Sequence, residues 1–313
     1  MKRVALILLG IVAAALAVVV TAGAGSKSPP APTGNCKPGD RMLSFSVGGV
    51  SHEALLHVPR GMQEPIPLVL AFHGAYDDAR GTSVYYGFSK LADREHFVVV
   101  YPQASHDKFW ELKPEQHDDV AAVRALLNRM ERASCIDSSR VYATGVSNGG
   151  GFTARLGCEM ADRLAAIAPV AGGYDPLRRC KPARPLPLLE IHGTDDDVVP
   201  YEGTGEHRTG SDSGFLSVSG FLSQWTQLDG CRGAPKVSTP RPGVTHQTWS
   251  RCSGGSVVEH LKLEGTDHGW PGSHWSEAGK NPSPAHDPTG VDSAEAVWDF
   301  LSRFRLPSGG AGT

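Results

Sequence analysis

Short apolar runs rich in β-branched residues alternate along the chain with segments that predict helices. Six of these runs have the length and composition of buried strands: residues 67–73, 97–101, 140–145, 164–170, 186–192 and 257–263. Helices are predicted at 120–130, where apolar positions follow the helical spacing, and at 149–160, 215–228 and 294–304. Residues 42–59 alternate around a Gly-Gly pair, which predicts an antiparallel hairpin. Strands separated by helices predict a mainly parallel sheet covered on both faces.

The first 25 residues have the layout of a secretory signal peptide. Lys2 and Arg3 precede an unbroken apolar run at residues 4–20, and small residues at 22–24 fit a cleavage site. An uncleaved membrane anchor is the alternative, because the run is nearly long enough to span a bilayer. Cleavage would release the protein to the extracellular space.

Composition and charge narrow the class of protein further. The chain has 313 residues, 40% of them hydrophobic, which is enough for one large domain with a buried core. Its formal net charge of −3 comes from basic and acidic residues mixed along the chain, so neither nucleic acid nor, after signal cleavage, a membrane is an expected partner. We expect a proline-containing linker at 26–35, a single domain at 36–306 and a flexible tail at 307–313.

Residues 145–149, Gly-Val-Ser-Asn-Gly, form a G-x-S-x-G motif that follows a predicted strand and opens a predicted helix. This is the context that a nucleophile elbow requires. The tight turn strains the backbone of Ser147, and the flanking glycines relieve the crowding. Because the turn lifts the Ser147 hydroxyl clear of the sheet, the motif predicts a nucleophilic serine on an α/β-hydrolase fold.

A nucleophilic serine needs a histidine base and a carboxylate that orients the base, and this fold supplies them in the order Ser, Asp or Glu, His. The predicted strand that ends at His192 runs into three adjacent aspartates at 195–197, and the last predicted strand runs into His268. His268 is the expected base. The three aspartates compete for the role of acid, and His192 is interpreted as a structural strand-end residue.

Two backbone N–H groups are expected to stabilise the oxyanion that forms when the serine attacks. The N–H of Asn148 lies at the predicted helix N-terminus, where negative charge is favoured. The second donor should come from the loop after an earlier strand, which points to the N–H of Ala75 after Gly74. His73 is expected to brace this loop.

Six cysteines follow the signal segment: Cys36, Cys135, Cys158, Cys180, Cys231 and Cys252. None forms a CxxC pair, so no metal site is expected. An even number in an exported chain predicts disulfides, although spacing does not choose among the possible pairings. Free buried thiols are the alternative.

The chain resembles the secreted polyhydroxybutyrate depolymerase and feruloyl esterase family, which is related to acetylxylan esterases. The matching pieces run in order through most of the mature chain and include FHG at 72–74, YPQA at 101–104, GVSNGG at 145–150, HGT at 192–194 and HGWPG at 268–272. The S-N-G-G and H-x-W-P-G pieces are quite specific. One departure lies at 266–267, where the family usually has two glycines and this chain has Thr and Asp.

The resemblance implies several assignments that the residues alone leave open. The family pattern H-G-T-x-D selects Asp196 as the acid. The family usually pairs cysteines at the positions of Cys231 and Cys252, within a segment that we expect to have little regular structure. The simplest remaining pairs are then Cys158 with Cys180, and Cys36 with Cys135.

The activity implied by the resemblance is hydrolysis of carboxylic esters by a Ser147–His268–Asp196 triad through an acyl-enzyme, with no metal or organic cofactor. Feruloyl or acetyl esters of plant polysaccharide and hydroxyalkanoate polyesters are the implied substrates. Two other classes stay open. One is a secreted binding protein that retains the fold without activity, and the other is an acyltransferase or peptidase on the same fold.

The connection between the predicted strands at 164–170 and 186–192 is too short to hold a helical cap, so we expect an open site without a large cap domain. Trp110 and Trp270 are candidate aromatic walls for a phenolic acyl group or a sugar ring. The alternative is that both are packing residues.

Overall fold

The computed structural model describes residues 37–62, 65–113, 119–132, 135–204, 214–273 and 286–307. The predicted signal peptide and linker lie outside these residues, as do Cys36 and the tail beyond residue 307. Within the described ranges, none of the helices combines the length and the apolar character that crossing a bilayer requires.

A ten-stranded sheet in the order β1-β2-β4-β3-β5-β6-β7-β10-β9-β8 forms the centre of the described part of the chain. The strands are β1 (Gly39–Val47), β2 (Val50–Val58), β3 (Ile66–Phe72), β4 (Val98–Pro102), β5 (Ile136–Val146), β6 (Ala166–Val170), β7 (Leu188–Gly193), β8 (Lys236–Arg241), β9 (Val244–Trp249) and β10 (Val258–Leu263). Each of the six apolar runs forms one of the parallel strands, β3 to β7 and β10. The predicted N-terminal hairpin is present as β1 and β2.

Helices lie on both faces of this sheet, as the alternation of strands and helices predicts. They are α1 (Ala79–Tyr85), α2 (Phe88–Glu95), α3 (Asp119–Glu131), α4 (Asn148–Glu159), α5 (Val218–Leu228) and α6 (Ser293–Leu301). One apolar cluster joins the sheet to α3, α4 and α5, and the other joins it to α1, α2 and α6. The mainly parallel, doubly covered sheet is therefore confirmed.

The segment between Cys231 and Cys252 is more regular than expected. It contains the antiparallel pair β8–β9, which extends the sheet beyond β10. Strand β8 is exposed along its whole length and lies at the sheet edge, where Pro240 removes no interior hydrogen bond. The prolines in this segment therefore mark an edge strand, and the expectation of little regular structure is wrong.

Two of the expected disulfides are present. Cys158–Cys180 ties the end of α4 to the loop after β6, and Cys231–Cys252 closes the segment that holds the β8–β9 hairpin. Cys135 is buried and disulfide-bonded, and its expected partner Cys36 lies outside the described residues.

Candidate active site

Ser147 sits in the turn between β5 and α4 with φ 57° and ψ −122°, a left-handed conformation that is costly for a residue with a side chain. The turn is tight because three backbone segments meet there. A Cβ at Gly145 would lie 2.6 Å from the Gly149 carbonyl oxygen, and one at Gly149 would lie 2.3 Å from the Phe72 carbonyl oxygen. A residue with a side chain would clash at either position. The two glycines therefore allow the backbone to form the predicted elbow.

The structure brings Ser147, His268 and Asp196 together at the ends of three parallel strands. His268 Nε2 lies 2.9 Å from Ser147 Oγ, and His268 Nδ1 lies 2.8 Å from Asp196 Oδ2. Asp196 is 4% exposed, whereas Asp195 and Asp197 on either side are exposed. Of the three adjacent aspartates, Asp196 is therefore the one that contacts the histidine.

The carboxylate of Asp196 is held on both oxygens. Oδ1 accepts hydrogen bonds from the N–H groups of Val198 (3.0 Å) and Val199 (2.7 Å). Oδ2 faces two histidines, His268 and, at 3.3 Å, His192. Burial alone would raise the pKa of Asp196, but the hydrogen bonds from His192 and His268 outweigh it and hold that pKa well below its usual range. The carboxylate stays ionised and fixed in orientation.

The loops that carry Asp196 and His268 pack directly on each other. A Cβ at Gly193 would lie 2.1 Å from the Thr266 carbonyl oxygen, which itself accepts a hydrogen bond from the N–H of Asp195 at 3.0 Å. Thr266, which stands where the resembling family has glycine, is fully buried and donates its hydroxyl to Asp287 at 2.9 Å. The departure from the family pattern thus adds a tie within this loop.

His73 braces the loop that precedes Ala75. It is fully buried, its Nδ1 donates to the Gly74 carbonyl oxygen at 2.7 Å, and its Nε2 accepts from the N–H of Ala104 at 3.0 Å. Burial lowers the pKa of His73 to about 4, so the ring is neutral near pH 7. Since N–H and C=O point in opposite directions across a trans peptide, fixing the Gly74 carbonyl also fixes the direction of the Ala75 N–H.

The side chain of Asn148 has a contact that the motif did not reveal. Its Oδ1 accepts from the N–H of Trp110 at 2.7 Å, and its Nδ2 donates to the Trp110 carbonyl at 3.0 Å. The Trp110 indole N–H in turn donates to the His73 carbonyl at 3.0 Å. Trp110 therefore ties the nucleophile turn to the loop that holds Ala75.

The two tryptophans are core residues, which corrects the expectation of aromatic walls. Trp110 is 2% exposed and stacks on Phe152, with ring centroids 4.9 Å apart. Trp270 has no exposed surface and stacks on Tyr86 at 3.9 Å. A ring enclosed by protein on all sides has no face left for a substrate, so both tryptophans support the site by packing.

Two aromatic side chains that the sequence analysis passed over are exposed beside the site. Tyr76, 76% exposed, follows Ala75, and Phe109, 42% exposed, precedes Trp110. Their ring centroids are 6.2 Å apart, and the Tyr76 N–H donates to the Lys108 carbonyl at 2.9 Å, which joins the two loops. The sequence signal that could have indicated these two residues is that Tyr76 is adjacent to Ala75 and Phe109 is adjacent to Trp110.

Solved structures place the chain in a class of protein defined by its fold. An acetyl xylan esterase from Aspergillus awamori superposes with a TM-score of 0.57 at 14% identity. The superposition covers 73% of this chain and 94% of the acetyl xylan esterase chain. A thermostable esterase superposes with a TM-score of 0.56 at 19% identity, over 85% of this chain and 63% of its own. The mainly parallel sheet, the elbow serine and these neighbours define an α/β-hydrolase fold.

Sequence comparison relates the chain to a particular family of esterases within this fold. Residues 51–174 match the model of the family described as "Esterase PHB depolymerase". Feruloyl esterase B of Piromyces equi is 30% identical over 253 residues, and the bifunctional acetylxylan esterase/xylanase XynS20E of Neocallimastix patriciarum is 28% identical over 264 residues. The poly(3-hydroxyalkanoate) depolymerase C of Paucimonas lemoignei is 27% identical over 260 residues, 74% of this chain and 61% of that protein. The resemblance to this esterase family is confirmed.

The alignments to the first two of these relatives are partial on the relatives' side. They cover 77% and 82% of this chain but only 42% of feruloyl esterase B and 34% of XynS20E. The chain thus spans about a third to two fifths of the length of these two proteins.

Proposed function

We propose that this chain is a secreted serine carboxylic-ester hydrolase that acts through an acyl-enzyme. The observation that supports this most directly is the continuous hydrogen-bonded line from Ser147 Oγ through His268 to Asp196, with the serine held in a nucleophile elbow. A serine hydroxyl is a weak nucleophile until an adjacent base accepts its proton. His268 is in position to be that base.

In the proposed reaction, Ser147 Oγ attacks the ester carbonyl carbon while His268 Nε2 takes the hydroxyl proton. Asp196 accepts a hydrogen bond from the Nδ1–H group of His268, which fixes the tautomer and stabilises the imidazolium. The N–H groups of Asn148 and Ala75 donate to the oxyanion, each contributing roughly 3–4 kcal/mol to the transition state. His268 then protonates the departing alcohol.

Water completes the cycle. It attacks the acyl-enzyme carbonyl while His268 takes one of its protons, and the second tetrahedral intermediate collapses as His268 returns that proton to Ser147 Oγ. The products are a carboxylic acid and the free enzyme. Side chains of the protein supply each proton transfer, so the proposed cycle runs without a metal or an organic cofactor.

The proposed substrates are feruloyl or acetyl esters of plant polysaccharide, or hydroxyalkanoate polyesters, in line with the names of the relatives. The connection between β6 and β7 is loop with a single short 3₁₀ turn at Leu177–Arg179, so no helical cap is inserted there. An open site accommodates ester groups on a large or polymeric molecule. The signal-peptide layout and the disulfides support export to the extracellular space.

An ester panel tests this proposal: p-nitrophenyl acetate, methyl ferulate, acetylated xylan and hydroxybutyrate oligomers. We expect turnover of p-nitrophenyl acetate and of at least one natural ester class, and labelling of Ser147 by a fluorophosphonate probe. Ser147→Ala should abolish both and leave the fold intact. Persistent labelling at another serine would overturn the assignment. Absent turnover would favour a binding protein, and ester formation with an added alcohol would favour an acyltransferase.

A further inference from the structure

The mechanism leaves one histidine at the catalytic carboxylate without a role. His192 is 1% exposed, and its Nε2 lies 3.3 Å from Asp196 Oδ2 and 2.9 Å from the Val199 carbonyl oxygen. Its Nδ1 lies 2.9 Å from Oε1 of Glu190, a fully buried carboxyl group. Asp196 therefore contacts two imidazoles, of which only His268 reaches Ser147.

The surroundings of His192 determine how many protons its ring holds. A carbonyl oxygen and a carboxylate can only accept hydrogen bonds, while a neutral imidazole has one N–H and one acceptor nitrogen. The Val199 carbonyl and Asp196 require a proton on Nε2, and the Glu190 carboxylate requires one on Nδ1. Both nitrogens must be protonated for all of these contacts to be favourable, which makes the ring a cation.

The assignment requires Glu190 to be ionised, and its other neighbours favour that state. The Tyr174 hydroxyl donates to Oε1 at 2.9 Å, and Nδ1 of His260 lies 2.6 Å from Oε2. His260 is fully buried, and its Nε2 lies 2.8 Å from the Tyr201 hydroxyl, which can donate to it. Tyr174 and His192 thus both reach Oε1, and the imidazole of His260 lies against Oε2. These neighbours favour the carboxylate over the protonated acid.

The topology of the sheet assembles this group. Glu190 and His192 are two residues apart on β7, so their side chains share one face of the sheet. Glu190 is paired in register with His260 on the adjacent parallel strand β10. The Tyr201 ring meets His192 edge-on, with centroids 5.9 Å apart. The titratable groups around His192 are therefore Glu190, Asp196, Tyr174, His260, Tyr201 and, across Asp196, His268.

The electrostatics of the group agree with this proton count. Burial alone would raise the pKa of Glu190, but the neighbouring imidazoles of His260 and His192 outweigh it and lower the pKa to about 2. Burial would lower the pKa of His192, but its hydrogen bonds to Asp196 and Glu190 outweigh it and raise the pKa to about 10. Glu190 is thus negative and His192 positive across the neutral pH range.

We propose that His192 is a permanently protonated positioning residue for Asp196, and that buried Glu190 maintains its charge. The cation keeps Asp196 ionised and holds Oδ2 by charge, in addition to the hydrogen bond from His268, so that the carboxylate stays aimed at His268. It also offsets part of the negative potential that Asp196 exerts on His268. Since His268 must be neutral to act as a base, this offset extends activity to lower pH. The role rests on the proposed function, because it acts through the triad.

The charge state of His192 is measured directly on the full mature chain by NMR of ¹⁵N-labelled histidine, with His192→Gln used to assign its ring signals. We expect both ring nitrogens of His192 to stay protonated from about pH 5 to about pH 9. A ring that loses a proton within this range would overturn the proposal. This measurement needs no activity, so its outcome is separate from that of the ester panel.

The catalytic consequence is tested with Glu190→Gln, which lets His192 become neutral while its Nε2–H still faces Val199 and Asp196. We expect the acidic limb of the kcat/KM profile for p-nitrophenyl acetate to move up by roughly half a pH unit to one unit, because His268 then holds its proton more tightly. His246→Gln is the matched control, because His246 on β9 forms a similar histidine–carboxylate pair with Glu259 on β10, at 2.8 Å. The pH profile of this variant should match that of the wild type. A folded Glu190→Gln variant with an unshifted limb would refute the positioning role.

Discussion

Burial separates three chemically identical residues at positions 195–197. Asp196 is enclosed, accepts from two backbone N–H groups and from His268, and lies 3.3 Å from His192, while Asp195 and Asp197 are exposed. We expect Asp196→Asn to lower kcat by about 10⁴-fold, because the amide no longer holds His268 in the productive tautomer. Asp195→Asn and Asp197→Asn are matched controls and should stay within about threefold of wild type. A larger loss in either control than in Asp196→Asn would contradict the assignment.

His73 is a residue whose burial should make stability depend on pH. Its pKa is about 4 in the folded protein and near 6.5 in an unfolded chain, so between these values the unfolded state binds the additional proton. The free energy of unfolding therefore falls as pH drops through this range, by up to about 3 kcal/mol from this group.

Urea unfolding near pH 4.5 and near pH 7 measures this effect when wild type is compared with His73→Gln, which cannot titrate. We expect the wild type to lose more stability than the variant on going to the lower pH, because other groups contribute equally to both proteins. Equal losses would show that His73 is not held neutral by its surroundings.

The strand–turn–helix unit formed by β5, Ser147 and α4 depends on close backbone approach. Gly149→Ala would place a methyl group 2.3 Å from the Phe72 carbonyl oxygen and 2.5 Å from that of His73, so α4 must move away from β3. We expect a loss of roughly 3 kcal/mol in the free energy of unfolding and near-complete loss of ester hydrolysis. Urea unfolding and turnover of p-nitrophenyl acetate measure the two effects.

Gly220→Ala in α5 is the control for that variant. The added Cβ would lie 3.1 Å from the Ser217 hydroxyl, a contact that a shift of a few tenths of an ångström relieves, so the stability should change by less than about 1 kcal/mol and activity should be retained. If Gly149→Ala behaved like this control, the close packing of α4 on β3 would not matter to the site.

Element prediction succeeded where burial is continuous and failed where it is not. The parallel strands β3, β4, β6 and β7 are buried along their whole length, which leaves a clear signal in the sequence. Helix α1 contains Gly81, Thr82, Ser83 and Val84, all poor helix formers, and begins on the side chain of Asp78, so its composition did not predict it. Strand β8 is exposed and contains Pro240, and its pairing with β9 decides its conformation.

At the scale of the whole molecule, the surface beside the site presents the exposed pair Tyr76 and Phe109. If the substrate is a bulky or polymeric ester, we expect Tyr76→Ala combined with Phe109→Ala to raise KM for methyl ferulate or hydroxybutyrate oligomers by about tenfold, through loss of aromatic contact. The small ester p-nitrophenyl acetate should change by less than about twofold, because it is too short to reach both rings.

Val237→Ala is the matched surface control, since Val237 is 57% exposed on the edge strand β8. Steady-state kinetics with both substrates on all variants gives the comparison. An equal rise in KM for the small and the bulky ester would show that the pair supports the loop around Ala75 and does not contact substrate.

The amino-acid sequence by itself determined the features that depend on local pattern: the parallel strands, the elbow at 145–149, the chain order of serine, aspartate and histidine, and two disulfide pairs taken from a family resemblance. Apart from the disulfide pairs, these features have short-range signatures, because strand burial, turn sterics and motif spacing are set by neighbouring residues.

Tertiary structure decided which side chains face solvent and which distant groups meet. Trp110 and Tyr76 are both aromatic residues close to motif positions, yet one is 2% and the other 76% exposed, because segments from elsewhere in the chain cover only the first. Likewise, Glu190 meets His260 across two strands that are 70 residues apart in sequence. Exposure and charge pairing depend on what packs against a residue, and that information lies in the assembled fold.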